Sequence, residues 1–478
     1  MLNSYPLKYS TLAESDQIEC PIRAHARMVP DSMAVWKSGV ATSYRDLDQA
    51  ISRATGCLKL DSESHRVAIC VDDPRDTMVW LFAALRATAE IILLNRRLPR
   101  AARETTCTDL GIRMYISHEP LDVEKCLWID PTHYDDDSPL SVDYLLPLDR
   151  PATLVHTSGT AGASKIAVHS LRNHFSSALS SNTRIRVTPS SKWLLSLPLH
   201  HVAGLGILFR TFVAGGTVAI QPIQRSIGDA IDLSEATHVS LVPTQLRRLL
   251  HEKPFSPHCL KDVLVGGGPV PASLIRLAVE GGYPVRTTYG MTEMSSQIAT
   301  SDIWTETREF YSSGRVLPQT ELVIDTNDEI LVRGPSAFLG YLKSGGSFTR
   351  RKQGAWIRTG DVGRMDDDEL FLLGRRDQMF VSGGENIQPE EIERALLTLS
   401  HVELAVVVPV SDIEFGFYPV AFIRSTGPAI DENAMKRQLE ETLPSFKIPK
   451  RFLEWPDRLD SKAMEVDRKL LAELAASI

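Results

Sequence analysis

Short apolar segments of strand length alternate with longer segments of helical periodicity along most of this chain. Residues 66–71 form a short apolar run, residues 76–89 carry their apolar side chains on one flank of a helix, and residues 91–94 are again strand-like. Further strand-like runs follow at residues 193–197, 217–220, 238–242 and 263–265. This alternation predicts an α/β fold with parallel-rich sheets flanked by helices, in which ligands bind beyond the carboxyl ends of the strands.

A second, smaller unit is predicted after Gly374-Arg375-Arg376-Asp377. Pro389 has the character of a first helical turn, residues 404–410 and 420–423 read as strands, and residues 431–443 read as a helix that Pro444 ends. We therefore expect a large domain over residues 1–376 and a small mobile α+β domain over residues 377–478, with the hinge near Asp377.

Composition narrows the class of protein. The 478 residues carry a formal net charge of -8, which argues against a nucleic-acid partner because phosphates require a basic face. No apolar run approaches the roughly 20 residues of a membrane span, and residues 1–17 lack the apolar segment of a signal peptide. The six cysteines show no ligand spacing. We expect a cytoplasmic protein with reduced thiols.

The loop at residues 157–165 has the composition of a phosphate-binding loop and follows a strand-like run. Gly159 and Gly162 allow backbone N–H groups to turn inward, and Lys165 adds positive charge. The hydroxyl side chains are Thr157, Ser158, Thr160 and Ser164. The loop does not match the Walker pattern, which needs glycine at position 164 and serine or threonine at position 166. On its own, such a segment is more often only a loop, so the interpretation depends on the segments that follow.

Those segments occur in a fixed order: Leu197-Pro198-Leu199-His200-His201, Gly266-Gly267-Gly268-Pro269, Thr288-Tyr289-Gly290-Met291-Thr292-Glu293, Arg358-Thr359-Gly360-Asp361, Gly374-Arg375-Arg376-Asp377 and Ser382-Gly383-Gly384-Glu385-Asn386. Each is weak alone. In this order and spacing they resemble the adenylate-forming superfamily of acyl-CoA synthetases, peptide-synthetase adenylation domains and luciferases. The resemblance covers nearly the whole chain and is specific for the family.

The resemblance implies a set of nucleotide contacts. Glu293 would hold Mg²⁺ between ATP oxygens, since that ion prefers oxygen ligands, although a surface glutamate is the alternative. Thr292 would contact the α-phosphate, Asp361 would accept both ribose hydroxyls, and Arg375 would complete the ribose contact. The nucleotide-binding residues implied are Thr157, Ser158, Gly159, Thr160, Gly162, Gly267, Gly268, Pro269, Tyr289, Gly290, Asp361 and Arg375, with Tyr289 stacked on adenine.

The resemblance also implies a reaction in two steps. The acid's carboxylate attacks the α-phosphorus and pyrophosphate leaves, with Lys165, Mg²⁺ and loop N–H groups stabilising the charge. The small domain then rotates about Asp377, and the thiol of coenzyme A reaches the acyl adenylate along the backbone of Gly383 and Gly384. His201 would act as a gate beside the reacting carboxylate; a satisfied core histidine is the alternative. The resemblance also suggests a homodimer.

Several stretches resemble one subfamily, the o-succinylbenzoate–CoA ligases of menaquinone synthesis. They include residues 199–204, 240–246 and 382–391. That substrate carries two carboxylates on an aromatic framework, and the carboxylate that does not react needs a cation in an otherwise apolar pocket. Arg210 aligns with an arginine of the subfamily and is expected to be that partner. A helix-surface arginine is the alternative.

The chain departs from the family pattern near its C-terminus. The family has a Gly-Lys pair there, and its lysine bridges the carboxylate and the α-phosphate; here Met464 and Glu465 occupy the two positions before Val466-Asp467-Arg468. Losing such a contact costs roughly 10² to 10³ in rate. Three explanations stay open: Lys462 substitutes, adenylation is impaired while thioester formation survives, or the alignment register is shifted.

Three rival functions remain at this point. An adenylation domain that loads a carrier protein would need a carrier segment, and none is visible before Ile478. A relative that only binds nucleotide is favoured by Glu465 and opposed by Lys165, Glu293 and Asp361. A CoA ligase for another aryl or fatty acid would share every nucleotide motif.

Overall fold

The computed structural model describes residues 7–58, 60, 65–132, 145–157, 165–222, 225–306, 311–343, 346–399, 401–412, 415–425, 431–456 and 466–478. Seven residues of the predicted phosphate loop, 158–164, lie outside this range, and so do Lys462 and Glu465. No helix of the described residues is long and apolar enough to cross a membrane.

The α-helices of the described residues are α1 Tyr9–Glu14, α2 Pro21–Met28, α3 Tyr44–Cys57, α4 Pro74–Arg86, α5 Arg100–Asp109, α6 Leu171–Arg184, α7 Val202–Val213, α8 Ile227–Ser234, α9 Pro243–Glu252, α10 Ala272–Glu280, α11 Pro389–Leu396, α12 Glu432–Glu440 and α13 Arg468–Ser477. Short 3₁₀ turns lie at Thr292–Met294, Arg376–Gln378 and Ser445–Lys447.

The strands of the described residues are β1 Gln17–Glu19, β2 Met33–Lys37, β3 Val40–Ser43, β4 Arg66–Cys70, β5 Glu90–Leu93, β6 Met114–Ser117, β7 Leu127–Ile129, β8 Leu145–Pro147, β9 Pro151–His156, β10 Ile166–Ser170, β11 Lys192–Leu195, β12 Thr217–Ile220, β13 His238–Leu241, β14 Asp262–Val265, β15 Val285–Met291, β16 Ser296–Thr300, β17 Arg315–Val316, β18 Glu321–Ile324, β19 Glu329–Arg333, β20 Gly340–Leu342, β21 Ile357–Asp366, β22 Glu369–Arg375, β23 Phe380–Ser382, β24 Glu385–Ile387, β25 Val402–Asp412, β26 Gly416–Ser425 and β27 Arg451–Glu454.

Among the described residues these strands form two large sheets, one five-stranded sheet and one two-stranded sheet of β1 and β8. One large sheet has the order β20-β10-β9-β5-β4-β6-β7, and the other has the order β18-β19-β21-β22-β17-β16-β15-β14-β13-β11-β12-β2-β3. An apolar cluster that includes Trp80, Phe82, Trp193 and Phe209 is fully buried. Strands and helices that alternate in this way confirm the predicted α/β fold.

The parallel arrangement predicted from the alternation ends at β15. From β11 to β15 the neighbours are parallel, whereas β15 pairs antiparallel with β16 and β21 pairs antiparallel with β22. The strands after β15 follow one another without intervening helices, so short connections bring them together antiparallel. The sequence pattern predicted no strands in this part of the chain.

Local sequence determines the start of α6, which follows the predicted phosphate loop and β10. Ser170 accepts a hydrogen bond from the backbone N–H of Asn173, and Asn173 accepts one from the backbone N–H of Ser170. This capping box satisfies two N–H groups at the start of the helix. The Asn173 amide also donates to the Pro335 carbonyl at 2.9 Å, which joins α6 to the segment before β20.

The C-terminal part of the chain forms its own five-stranded sheet. Its strands run in the order β24-β23-β26-β25, with β27 beside β26, and α11 and α12 cover an apolar cluster that includes Ile392, Val407 and Leu439. Arg468 at the start of α13 donates to both carboxylate oxygens of Glu393, at 2.5 and 2.9 Å. The predicted domain boundary after residue 376 stays a prediction.

Candidate active site

The two ends of the predicted phosphate loop lie side by side at the edge of the β9–β10 hairpin. The backbone N–H of Thr157 donates to the Lys165 carbonyl at 2.8 Å, and the Thr157 hydroxyl donates to the same carbonyl at 3.2 Å. His156 and Ile166 are paired across the strands. The hairpin therefore closes the loop at its base, while Ser158, Gly159, Thr160 and Gly162 lie outside the described residues.

The Thr292–Glu293 turn lies next to this hairpin. Glu293 is buried, and its carboxylate accepts a hydrogen bond from the Tyr341 hydroxyl. Its carbonyl accepts from the backbone N–H of Phe338 at 2.8 Å, and Lys165 Nζ lies 5.2 Å from the centroid of the Tyr341 ring. The structure thus brings the predicted metal ligand and the predicted phosphate lysine to one side chain, Tyr341, that the sequence analysis did not identify.

A histidine supports the same turn from inside the fold. His169 Nε2 lies 2.7 Å from the Thr292 carbonyl oxygen and so donates to it. His169 is 5.2 Å from the ring of His174, which stacks on Phe209 at 4.6 Å with an interplanar angle of 8°. Burial lowers the pKa of His169 to about 4, against the hydrogen bond to Thr292, so the ring is neutral at physiological pH.

The predicted ribose contacts form one connected group. Asp361 accepts from the Tyr289 hydroxyl at 2.5 Å and from Arg375 Nη1 at 3.1 Å. Arg375 also donates to Asp377, at 3.0 and 3.3 Å. Burial raises the pKa of Asp361, and the hydrogen bond from Tyr289 and the charge of Arg375 oppose that rise.

The predicted adenine contacts follow adjacent parallel strands. Gly267, Gly268 and Pro269 are exposed just beyond β14, and Tyr289 is buried in the neighbouring β15. At Gly290 two backbone segments of the protein lie very close together, because a Cβ there would lie 1.9 Å from the Ser296 carbonyl oxygen. The carboxyl ends of these strands therefore form the edge at which a base would bind, as expected for this class of fold.

Three histidines meet where α7 begins. His201 is the residue before α7, and its ring centroid is 4.5 Å from that of His200. Burial and then the neighbouring His201 lower the pKa of His200 to about 4 and also lower the pKa of His156. His156 and His200 therefore favour the neutral form at neutral pH, and the gating role of His201 stays a prediction.

Arg210 lies inside the protein on α7, so the alternative of a surface arginine is wrong. It is 2% exposed. Its Nε donates to the Gly206 carbonyl at 2.8 Å, and Nη1 donates to Oε1 of Gln297 at 2.9 Å. The guanidinium lies 4.8 Å from the Trp193 ring centroid. Ser181 donates to the same Gln297 oxygen at 2.6 Å. Among the described residues no Asp or Glu forms an ion pair with Arg210.

The buried acid whose charge acts on Arg210 already has a partner. Asp262 accepts from Arg286 Nε at 2.6 Å, and burial raises the pKa of Asp262 to about 6 against the charges of Arg286 and Arg210. Burial also lowers the pKa of Arg210 to about 10, which leaves it protonated at neutral pH. Asp262 thus pairs directly with Arg286 and not with Arg210, and Arg286 also lies 3.8 Å from the exposed Asp302. Arg210 therefore keeps a buried positive charge that a ligand carboxylate can balance.

Gly383 and Gly384 form the two-residue turn between β23 and β24. Their φ values are +58° and +89°, the combination that a tight hairpin of this type demands of glycine. A Cβ on Gly383 would lie 3.0 Å from the Phe415 ring. The turn accounts for both glycines without a thiol tunnel, so the tunnel role stays a prediction. Asp377, the predicted hinge, lies in the turn before β23.

The structure adds one observation about the departure at Glu465. Residue 465 itself and Lys462 lie outside the described residues. Asp467 caps α13 by accepting from the Leu470 N–H at 3.0 Å, and Arg468 is anchored on Glu393. Asp467 and Arg468, which set the alignment register, therefore have structural roles within the small domain.

Comparison with known proteins places the chain in a family. A model described as AMP-binding enzyme matches residues 22–342, and one described as AMP-binding enzyme C-terminal domain matches residues 391–463. This chain belongs to the AMP-binding enzyme family, as the order of its motifs indicated. It is 31% identical over 467 residues to a 2-succinylbenzoate–CoA ligase of Bacillus licheniformis, covering 92% of this chain and 96% of that protein.

Two solved structures of o-succinylbenzoate coenzyme A synthetase from Bacillus subtilis extend the comparison. The complex with ATP and magnesium ion has a TM-score of 0.84 at 28% identity, covering 95% of this chain and 99% of that chain. A double mutant bound to its product analogue OSB-NCoA has a TM-score of 0.70 at 28% identity, covering 96% and 99%. The structure of this chain is thus more similar to the ATP-bound structure than to the complex with the product analogue.

Proposed function

We propose that this chain is an AMP-forming acid–thiol ligase that converts o-succinylbenzoate, ATP and coenzyme A to o-succinylbenzoyl-CoA, the reaction of menaquinone synthesis. The observation that carries the choice of acid is Arg210, a buried cation without a carboxylate partner among the described residues. An uncompensated buried charge is costly, so a ligand carboxylate is the partner that such a site selects. The family membership and the relatives named above support the same acid.

The non-reacting carboxylate would meet Arg210 on the part of the guanidinium that the protein leaves open. Nε and one hydrogen of Nη1 are used by Gly206 and Gln297, and the Trp193 ring covers one face. The remaining Nη hydrogens are the donors for the ligand. A charge-assisted pair in this dry setting discriminates strongly between a dicarboxylate and an uncharged analogue.

The nucleotide would bind along the carboxyl edge of β14 and β15. Adenine would lie between the backbone of residues 267–269 and Tyr289, and Asp361 would accept the ribose hydroxyls in place of its present partners, the Tyr289 hydroxyl and Arg375 Nη1. The hydroxyl of Thr292 and the charge of Lys165 would face the phosphates. These assignments rest on the motifs and on the way the structure groups the side chains.

The residues fit a magnesium ion that is bound mainly by the nucleotide. Among the described residues no group of three or more His, Cys, Asp or Glu is arranged to hold a metal, so Glu293 would be the protein carboxylate and phosphate oxygens and water would complete the shell. When bound, the ion neutralises charge on the phosphates. Glu293 retains an oxygen for this task, since Oε1 is the one that Tyr341 contacts.

The first half-reaction would follow from positioning. One carboxylate oxygen of the acid attacks the α-phosphorus, the bond to the bridging oxygen breaks, and pyrophosphate leaves with that electron pair. Thr292 and Lys165 hold the phosphates in line, and His201 shields the reacting carboxylate from water. His201, the residue before α7, and Arg210, in the last turn of α7, would thus orient the two ends of the substrate.

The second half-reaction would need the small domain to move about Asp377. The thiolate of coenzyme A then attacks the carbonyl carbon of the acyl adenylate, and AMP leaves with the electron pair of its bond. The lower TM-score to the product-analogue complex, 0.70 against 0.84, supports a rearrangement between the half-reactions. Gly383 and Gly384 would line the path of the thiol.

A panel of acids tests this assignment. The native chain is incubated with ATP, Mg²⁺, coenzyme A and each acid, and thioester formation is measured for o-succinylbenzoate, benzoate, a medium-chain fatty acid and two monocarboxylate analogues that each lack one carboxylate of o-succinylbenzoate. We expect the dicarboxylate to exceed every other acid by at least about tenfold in kcat/KM. Equal rates with another aryl or fatty acid would contradict the assignment.

Glu465 favours a second candidate, a relative that is impaired in adenylation but competent in thioester formation. Acid-dependent exchange of pyrophosphate into ATP is measured for the native chain and for Glu465→Lys. A gain of about tenfold or more in the variant supports impaired adenylation. No gain favours Lys462 or another residue as the substitute. A cytoplasmic location and a homodimer also stay predictions.

A further inference from the structure

The phenol of Tyr341 connects two groups of the proposed ATP site that no sequence motif links. Its hydroxyl donates to the Glu293 carboxylate, and its ring lies 5.2 Å from Lys165 Nζ. We propose that Tyr341 is a positioning residue that holds Glu293 ready for the magnesium ion and keeps it apart from Lys165. The inference rests on the proposed function only as far as the binding of magnesium and ATP.

The backbone places Tyr341 for both contacts. β20 pairs antiparallel with β10, and Tyr341 is opposite Ala167, two residues after Lys165. The N–H of Leu339 donates to the Val168 carbonyl at 2.8 Å, and the N–H of Phe338 donates to the Glu293 carbonyl at 2.8 Å. A single short segment thus fixes the distance between the phosphate-loop hairpin and the Glu293 turn.

The choice of a tyrosine has a physical reason. Glu293 and Lys165 carry opposite charges and both contact Tyr341. A direct ion pair between them would compete with the metal for Glu293 and with the phosphates for Lys165. The phenol gives Glu293 a neutral donor, so its negative charge stays available. The ring gives Lys165 a weak cation–π contact that a phosphate can replace. Burial, and then the hydrogen bond to Glu293, raise the pKa of Tyr341, so the phenol keeps its proton.

Packing alone would require only the ring. Tyr341 contacts Phe338 edge to face at 4.8 Å, and Tyr341→Phe keeps that contact and the cation–π contact while removing the hydroxyl. The matched control is Tyr283→Phe, which removes a phenol that donates to the Lys253 carbonyl at 2.7 Å. Tyr283 lies just before β15, at the strand end opposite to Tyr289.

The experiment measures ATP binding without acid or coenzyme A, by displacement of a fluorescent ATP analogue over a series of Mg²⁺ concentrations. For Tyr341→Phe we expect the half-saturating Mg²⁺ concentration to rise roughly threefold to tenfold, the effect of one hydrogen bond, while metal-free ATP affinity stays within twofold of native. Tyr283→Phe should match the native chain. Equal Mg²⁺ dependence in native protein and Tyr341→Phe, both folded by thermal melting, overturns the proposal.

A double-mutant cycle tests whether Tyr341 acts on magnesium binding through Glu293. In a Glu293→Gln background, Tyr341→Phe should add nothing further to the Mg²⁺ dependence, because the group through which it acts has lost its charge. An equal additional shift in that background overturns the proposal. If the native chain itself binds ATP without any Mg²⁺ dependence, the proposed function fails at the nucleotide; if only the tyrosine variant behaves as native, this inference fails alone.

Discussion

The nucleotide side and the acid side of the proposed site are built in different ways. On the nucleotide side, Tyr289, Asp361 and Arg375 lie in short motifs at strand ends and satisfy one another by hydrogen bonds. On the acid side, Arg210 in α7 and Gln297 in β16 are buried and joined by a hydrogen bond, and Arg210 packs against Trp193. Under the proposed function, the nucleotide side would carry the chemistry shared by the family, and the acid side would determine the choice of substrate.

This difference has an energetic meaning. The groups of the nucleotide side have partners that a ligand can replace at low cost, because similar hydrogen bonds are exchanged. Arg210 has no counter-charge to exchange, so a ligand without a second carboxylate leaves a buried charge unpaired. Substitutions on the two sides should therefore separate into effects on every acid and effects on the dicarboxylate alone.

The largest effect is expected at Glu293. Glu293→Gln removes the carboxylate charge proposed for the metal and should lower the rate of pyrophosphate exchange by roughly 10² to 10³ with every acid tested. Glu321→Gln, which changes an exposed glutamate paired with Arg333, should leave exchange unchanged. If Glu293→Gln exchanges pyrophosphate at the native rate, the nucleotide side has been assigned wrongly.

The next largest effect is expected for Arg210, and it should concern the binding of the acid and not of ATP. Arg210→Ala should raise KM for o-succinylbenzoate by roughly 10² while KM for ATP changes less than about threefold, because a buried charge partner is lost. Arg210→Lys should recover only part of the loss, since an ammonium group cannot reproduce the planar contacts. Steady-state kinetics for both substrates measures this separation. A parallel rise in both KM values would mean that Arg210 only supports the fold.

Substitution of Asp361 should weaken ATP binding whichever acid is present, and the effect should depend on pH. Asp361→Asn should raise KM for ATP by about tenfold, because an amide cannot accept two ribose donors as a carboxylate does. Burial raises the pKa of Asp361, so native ATP affinity should begin to fall on acidification at a higher pH than an ordinary aspartate would cause. The ATP affinity of Asp361→Asn should not show this fall on acidification. An identical pH profile in both proteins would contradict the ribose role.

The smallest effect concerns stability through His169. Its pKa is about 4 in the folded protein against an ordinary value of 6.5, so the unfolded chain binds the extra proton between these values and the free energy of unfolding falls as pH drops from 6.5 to 4. His169→Gln keeps a donor for the Thr292 carbonyl and should reduce this slope by about one proton. Denaturant unfolding at several pH values measures it, and an unchanged slope would contradict a neutral buried ring.

Much of this arrangement could be predicted from the sequence. The predicted strands at residues 66–71, 217–220 and 263–265 correspond to β4, β12 and β14, and the predicted helix at residues 76–89 is α4, which begins at Pro74. Strong apolar periodicity and local caps set these elements. The antiparallel strands from β16 to β22 were not predicted. β16 is buried but rich in polar residues, and β18 and β21 are largely half-exposed or exposed, so none of the three shows a strong apolar pattern.

Site residues that lie in a sequence motif could be predicted, whereas those that reach the site only through tertiary contacts could not. Tyr289, Glu293 and Asp361 lie in recognisable sequence motifs. By contrast, Tyr341, His169 and Gln297 act through contacts with residues 48 to 123 positions away in the chain. The only sequence signal for Tyr341 was an aromatic residue after Gly340. Such contacts depend on strand order, which one sequence does not reveal.

The central claim, that this chain activates a dicarboxylate through Arg210, is tested most directly by acid-dependent pyrophosphate exchange. Native protein and Arg210→Ala are compared with o-succinylbenzoate and with its two monocarboxylate analogues, at equal ATP and Mg²⁺. The account predicts that the native chain prefers the dicarboxylate and that Arg210→Ala abolishes this preference while keeping the low rate with a monocarboxylate. A preference that survives in Arg210→Ala would contradict the account.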